Sequence, residues 1–456
     1  MTKSVGILGG GPVGLAAAAH LLARGLEPVV FEAGSTVAAN VREYGHVPLF
    51  SPWRFNIDDA ARALLLAEGW VEPEAEALPT AGELYRRYLV PLAETAALAP
   101  RIRLGARVEA VARASVDKVR SAKRESSPFV VRLALADGGF AEELVDAVID
   151  TTGSWNTPNP LGANGLPVAG ENLFAAQISY HIPDVAGSQR DRYAGKSTLV
   201  VGAGHSAANA LLTLVELAEA EPGTQIHWVT RGKDLRRVFG GGDADGLPAR
   251  GALGSRLRQA VQDGKIALRS EFRIRELRQS ENRLTVVSDG SGEISGIDEI
   301  ICVTGSRPDL GMTRELRLRY DPILESVDFL APLIDPNQHS CGSVPPHGHR
   351  ELSHPEANFY TAGAKSYGRA PTFLMVTGYE QVRSIAAALA GDLVAADAVH
   401  LVLPETGICS SAPGMEEESS CCATPEPSAA SCCAPKVSQA ASSCCAPSVK
   451  PEASCC

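Results

Sequence analysis

The sequence predicts an α/β protein: two parallel-sheet units, each with inserted antiparallel strands, and a disordered C-terminal tail. Three observations predict it. Two glycine turns, Gly9-Gly10-Gly11-Pro12-Val13-Gly14 and Gly202-Ala203-Gly204-His205-Ser206-Ala207, each lie between an apolar run and an Ala/Leu-rich helical run. Each half then closes on an apolar run that ends in Thr-Gly, at Thr152-Gly153 and Thr304-Gly305. From about residue 404 the composition changes to Ser, Ala, Pro, Glu and Cys. A segment with so few large apolar residues cannot bury enough surface to fold.

The first turn follows a strand over Val5–Leu8 and opens a helix that runs to about Arg24. Gly9 permits a tight turn, Gly11 lets the backbone approach a pyrophosphate, and Gly14 lets helix and strand pack closely. The pyrophosphate would meet free N–H groups and the positive end of the helix dipole. A second strand, Pro28–Phe31, ends at Glu32, 18 positions past Gly14. A carboxylate there accepts hydrogen bonds from an adenosine ribose. Strand, turn, helix, strand and acid together make a Rossmann-like dinucleotide-binding unit.

The loop after Glu32 contains GHVPLFSPWRFNID, unusually varied for a connector. Loops positioned by a rigid scaffold commonly carry function. Ala60–Trp70 and Ala81–Ala99 have helical spacing. Arg101–Ala112, Phe129–Leu135 and Leu144–Asp150 alternate as strands, with a hairpin turn at Ala136-Asp137-Gly138-Gly139. After a Pro/Gly/Asn-rich loop the pattern restarts: strand Ser197–Val201, glycine turn, helix over Asn209–Leu217, strand Gln225–Val229. Shorter strands follow near Ile266–Leu268, Phe272–Leu277 and Leu284–Ser288, then Asp298–Val303 into Thr304-Gly305. Arg231 stands where the first unit has its acid. A guanidinium there binds a 2′-phosphate that a carboxylate would repel, which points to NADPH. A last strand, Asn358–Ala362, leads into Gly363, and a helix occupies most of Thr372–Ala390. The expected division is residues 1–190 and 306–403 for the first unit, 191–305 for the second, and 404–456 for the tail.

With 456 residues and 45% hydrophobic content, the chain can bury a large core. The net charge of −11 argues against nucleic acid as the main partner. No apolar run approaches the roughly 20 residues of a membrane span. Nine of the eleven cysteines lie between Cys409 and Cys456, leaving Cys302 and Cys341 in the body. A body so poor in cysteine fits a reducing cytoplasm, the expected location. Glycine and proline interrupt the N-terminal apolar stretch, and no export signal is expected there.

The motifs GGGPVG with Glu32, TTGSWNTPNP, FAAQISYHIPD, GAGHSA and CVTGSRPD together resemble two-dinucleotide flavoproteins of the flavin-containing monooxygenase-like branch. The resemblance spans about Val5 to Gly391 and extends to flavoproteins of the kind found in arsenic-resistance gene clusters. It implies FAD on Gly9, Gly11, Gly14 and Glu32, and NADPH on Gly202, Gly204, Ser206 and Arg231. Pro12, Val13, Trp53, Gly153, Gly363 and Thr377, with His205, Ala207 and Gly305, complete the expected cofactor contacts. The helix that contains Thr377 would aim its N-terminus at the flavin and stabilise negative charge on the reduced ring. The resemblance further implies that reduced flavin meets dioxygen and oxygenates a small-molecule substrate. Arg54, Asn56 and Asn156 are the expected catalytic side chains, lining the flavin face. His46 and His181 read as structural, because nothing in the sequence supplies either with a partner.

Two positions depart from the family pattern. Phe174 is followed by Ala175-Ala176 where the family has Phe-x-Gly, and His181 lies one position late. Ala364 stands where many such proteins carry an acid for the ribityl chain. Related dithiol reductases need a redox cysteine pair, and no Cys-x-x-Cys occurs in the chain. In the tail, Cys421-Cys422, Cys432-Cys433, Cys444-Cys445 and Cys455-Cys456 recur at nearly regular intervals. Neighbouring Cα atoms, about 3.8 Å apart, sit below the usual disulfide range of about 4.4–6.8 Å. Each pair is therefore expected as a dithiol for a soft centre such as Zn, Cu(I) or trivalent arsenic.

The expected activity is NADPH-dependent FAD oxidoreduction, monooxygenase-like. One alternative is NADPH-dependent reduction of a metal, metalloid or quinone without oxygen insertion. The other is a soft-metal or arsenic-binding protein whose nucleotide units are vestigial.

Overall fold

The computed structural model describes residues 2–401 except 136–137, 243–244, 291, 339–343 and 372. The four cysteine pairs of the tail and Cys341 lie outside the described residues. The first sheet has five parallel strands in the order Phe359–Thr361, Ala147–Asp150, Ser4–Leu8, Glu27–Phe31, Ile102–Arg103. Leu8 lies opposite Phe31 on one side and Asp150 on the other. The second sheet repeats this plan with Ile178–Ser179, Glu299–Cys302, Ser197–Val201, Gln225–Val229 and Ala267–Arg269. There Val201 lies opposite Val229 and Cys302. In both sheets the middle strand runs into the glycine turn, and one neighbour ends just before the Thr-Gly. The α/β class with two Rossmann-like units is the observed architecture.

Each unit also carries a three-stranded antiparallel sheet: Arg107–Arg113, Phe129–Ala134 and Phe140–Val145 in the first. The second has Ile274–Ser280, Arg283–Ser288 and Glu293–Ile297. The middle strand Ser197–Val201 is buried at every position, which is why it ends in the consecutive apolar residues Leu199, Val200 and Val201 rather than alternating. Helix Pro12–Ala23 buries a run of alanines whose small side chains allow it close to the sheet. The edge strand Phe359–Thr361 of the first sheet comes from the C-terminal side of the second unit, and the edge strand Ile178–Ser179 of the second sheet from ahead of residue 191.

Three stretches divide more finely than the sequence suggests. Arg101–Ala112 breaks at Gly105, whose φ of +65° turns the chain out of the parallel sheet and into the antiparallel one. Leu144–Asp150 breaks at Asp146, whose carboxylate accepts from the Ser4 N–H (2.8 Å). Phe140–Val145 is thereby a separate antiparallel strand. Ala81–Ala99 is not one helix: a π-turn at Tyr85–Leu89 joins Ala81–Leu84 to Val90–Glu94. Pro91 has no N–H to continue the regular ladder.

Candidate functional site: two nucleotide cradles

Gly9 turns at φ +94°, and its N–H donates to the Phe31 carbonyl (2.8 Å). At Gly14 a Cβ would stand 2.0 Å from the Gly9 carbonyl oxygen and 2.8 Å from Thr151 Oγ1, so only hydrogen fits. The space a Cβ would take at Gly11 is open, with no atom within 4 Å. Gly11 caps the helix without a side-chain bond, and Pro12 occupies the first turn. Val13 is buried, and the first-turn N–H groups keep their capacity for an anion. Glu32 fastens the rim: its Oε2 accepts from the Gly10 N–H (2.8 Å) and its Oε1 from the Gly34 N–H (2.7 Å).

Under this turn lies a charged pair that the sequence did not announce. Lys365 and Asp150 are both fully buried, with Nζ 2.6 Å from Oδ2. Lys365 also donates to Thr152 Oγ1 (3.0 Å), and Thr152 Oγ1 lies 2.7 Å from Asp150 Oδ1. The ammonium follows Ala364, the position where an acid was expected. Opposite Asp150 on the neighbouring strand, Thr361 has Tyr320 Oη and His354 Nε2 each 3.0 Å from its Oγ1. Burial holds the His354 imidazole down at about 4. Arg319 N–H donates to its Nδ1 (3.2 Å), so the proton sits on Nε2.

The C-terminal helix Met375–Leu389 joins the cradle from the other side. Gly363 donates its N–H to Gln381 Oε1 (2.7 Å), and a Cβ at Gly378 would stand 2.6 Å from Val13 Cγ2. The N-termini of helices Pro12–Ala23 and Met375–Leu389 therefore converge at Val13. Thr377, in the first turn of the latter, is 5% exposed.

The second turn is built alike. Gly202 has φ +138° and a Val303 carbonyl oxygen 2.4 Å from its would-be Cβ. Gly204 caps helix His205–Ala220 without a side-chain bond, and the space at its Cβ is open. Ala207 is fully buried, so this turn admits a methyl where Gly14 admits none. Ser206 is exposed on the first turn. The second unit places Thr230, rather than Arg231, in register with Glu32. Thr230 N–H donates to the Arg269 carbonyl (3.1 Å) as Glu32 N–H donates to that of Arg103 (2.9 Å). Arg231 is the next residue, exposed, on a cavity of about 430 Å³.

The two Thr-Gly corners are joined to each other. Asn159 N–H donates to the Gly305 carbonyl (2.9 Å) and Arg307 N–H to that of Thr157 (3.0 Å). Ser154 and Ser306 hydroxyls lie 2.8 Å apart. Gly153 and Gly305 turn at φ +70° and +89°. From the Glu32 loop, Phe50 reaches the second cradle, its ring 5.4 Å from that of His205. Trp155 stacks on His181 (4.0 Å, 9°) and donates to Glu43 Oε2 (2.6 Å). Burial lowers the His181 imidazole below its usual value, against the opposing pull of Glu43.

The side chains expected to be catalytic differ in what they touch. Asn56 is fully buried, and its Nδ2 donates to the Ser51 (2.7 Å) and Pro52 (3.0 Å) carbonyls while Oδ1 accepts from Ser51 Oγ. Its own carbonyl accepts from Tyr379 Oη (2.9 Å). Asn56 pins its loop to the C-terminal helix, with no polar group left for a substrate. Trp53 is 1% exposed and packs in the core. Arg54 points outward and pairs with Glu76. Asn156 is exposed beside the stacked Trp155. His46 lies on the same loop, with Nε2 buried and without a hydrogen-bond partner among the described residues. Phe50, against His205, and Trp155, against His181 and itself held by Glu43 and Tyr44, reach toward the second turn, and for Phe50 loop variety was the signal that pointed there.

Both cradles fit a dinucleotide. Each has an open glycine at the pyrophosphate position and an uncapped helix N-terminus; the first adds a carboxylate, the second a guanidinium. The residues present fit FAD in the first and NADPH in the second. The fold and site thus define a two-nucleotide oxidoreductase. A family model described as pyridine nucleotide-disulphide oxidoreductase matches residues 7–325, and the chain belongs to that family. Among solved structures the chain is similar to bacillithiol disulfide reductase from Bacillus cereus (TM-score 0.63, 20% identity, 86% of this chain and 99% of that one). It is similar to the FAD-bound cadaverine monooxygenase of the desferrioxamine pathway from Erwinia amylovora (0.58, 14%, 90% and 99%). It is also similar to a flavin-containing monooxygenase from Stenotrophomonas maltophilia (0.55, 19%, 86% and 98%). No curated protein matches the sequence.

Proposed function

We propose that the protein is an NADPH-dependent FAD oxidoreductase of monooxygenase-like type, passing electrons from NADPH through flavin to oxygen and a small-molecule substrate. The observation that carries this is the pair of like-built cradles at two Thr-Gly corners bonded to each other. FAD, when bound, accepts a hydride and releases electrons onward. The chain's own part is to hold and shield. Gly9, Gly11 and Gly14 admit the pyrophosphate, Glu32 offers lone pairs to the ribose, and Lys365–Asp150 fixes the Thr152-Gly153 corner. Gly204, Ser206 and Arg231 hold the second nucleotide, and Phe50 closes against His205.

Cys302 speaks against a dithiol mechanism within the described residues. It is the only cysteine among the described residues, 1% exposed, with burial pushing its thiol up to about 11. A thiol so held stays protonated and unreactive. The test is oxygen uptake alongside NADPH oxidation, with amines, sulfides, ketones and arsenite as trial substrates and hydrogen peroxide counted. Substrate-dependent uptake in excess of peroxide supports the oxygenase. NADPH oxidation that proceeds anaerobically with a metal, metalloid or quinone assigns the reductase instead. A purified protein without flavin absorbance removes both.

A further inference from the structure

Arg231 shares its cavity with two more arginines, Arg273 and Arg275, and with Asp289. The opposite wall is the loop Ala163–Ala169. Backbone bonds hold the walls together: Phe272 N–H donates to the Thr230 carbonyl (3.0 Å), placing Arg273 one residue beyond a contact that ends one residue before Arg231. Asp289 N–H donates to the Arg273 carbonyl (3.0 Å), and Leu277 N–H to that of Ala169 (2.8 Å). The pairing of Ile274–Ser280 with its neighbour slips between Ile274 and Glu276, so Arg275 stands at a β-bulge. Bulges re-aim a side chain, and here Arg273 and Arg275 both face the cavity that Arg231 lines.

Three guanidiniums against one carboxylate leave this cavity positive in a chain whose net charge is −11. Elsewhere on the surface most arginines have acids within reach: Arg132 with Glu142, Arg283 with Asp298, Arg350 with Asp397. Arg231 and Arg273 have no ion-pair or side-chain hydrogen-bond partner among the described residues, and Arg275 reaches Glu276 only at 3.8 Å. Guanidiniums gathered without carboxylates match a doubly charged phosphate, which accepts bidentate bonds from more than one fork.

We propose that Arg273 and Arg275, carried on the inserted antiparallel sheet, bind the 2′-phosphate of NADPH together with Arg231. This rests on the NADPH assignment above and adds that nucleotide choice is divided between the parallel sheet and its insert. The bulge at Arg275 is then a specificity device, and the loop Ala163–Ala169 is the wall against which the phosphate is enclosed.

The test is calorimetric titration of the full-length flavoprotein with 2′,5′-ADP and with 5′-ADP, which lacks the 2′-phosphate. Arg231→Gln, Arg273→Gln and Arg275→Gln are compared with the parent. The expected result is a loss of about tenfold or more in 2′,5′-ADP affinity in each variant, with 5′-ADP affinity held within twofold. Arg273→Lys should recover part of the loss, since the charge remains without the fork. If Arg231→Gln weakens 2′,5′-ADP while Arg273→Gln and Arg275→Gln do not, the proposal falls and the NADPH assignment stands. If the parent binds both nucleotides equally, the proposal and the NADPH assignment fall together.

Discussion

Lys365→Met tests whether the buried pair beneath the first turn organises that cradle. In the parent, Nζ sits 2.6 Å from Asp150 Oδ2, with both side chains at 0% exposure. Methionine nearly preserves the volume and removes the charge, leaving the Asp150 carboxylate buried with only Thr152 as a donor. Breaking one side of a buried ion pair costs about 3–5 kcal/mol. At about 2 °C per kcal/mol, that lowers the thermal midpoint by roughly 6–10 °C. Asp150→Asn in the same chain removes the stranded charge, so the double variant should recover about 2 kcal/mol relative to the sum of the singles. The assay is thermal unfolding followed by circular dichroism, with flavin fluorescence reporting release from the cradle. A Lys365→Met shift below about 1 kcal/mol, or strictly additive singles, would refute the role given to this pair.

Gly14→Ala forces a methyl against the Gly9 carbonyl and should cost about 1–3 kcal/mol and most of the bound flavin; a yellow, equally stable variant contradicts the geometry. Glu32→Gln turns an amide N–H toward the Gly10 or Gly34 N–H, and each lost bond is worth about 1–3 kcal/mol. FAD affinity measured by fluorescence should therefore fall about tenfold or more. His354 is held at about 4 against an ordinary 6.5, so its folded value lies below its unfolded one. Stability from this residue is complete above 6.5 and is lost as pH falls toward 4, by on the order of 3 kcal/mol. Thermal midpoints across that window should decline more steeply in the parent than in His354→Gln, and parallel curves would count against it.

The central parallel strands were legible because they are buried on both faces: SVGIL and STLVV carry runs of consecutive apolar letters. The turns were legible because Gly9 and Gly202 lie in backbone regions closed to other residues. The surroundings of the side chains in SPWRFNID were not. Trp53, Arg54 and Asn56 look chemically suited, but what a side chain faces depends on where Tyr379 and Ser51 meet it, hundreds and a few residues away. Lys365 was invisible for a related reason: a lysine reads as surface until its long-range partner is known. Arg231 was legible by type, while its one-residue offset from Glu32 shows only once the two strand ends are matched through the Gly9–Phe31 and Gly202–Val229 bonds.

The stretch that carries the second glycine turn lies between Pro158 and Ser306, which face each other across a single bridge. Its ends are therefore neighbours. A graft of this segment into another two-nucleotide protein needs to match this pair of backbone positions and the ring contacts at His181 and His205, so nucleotide preference here has the form of an exchangeable cassette.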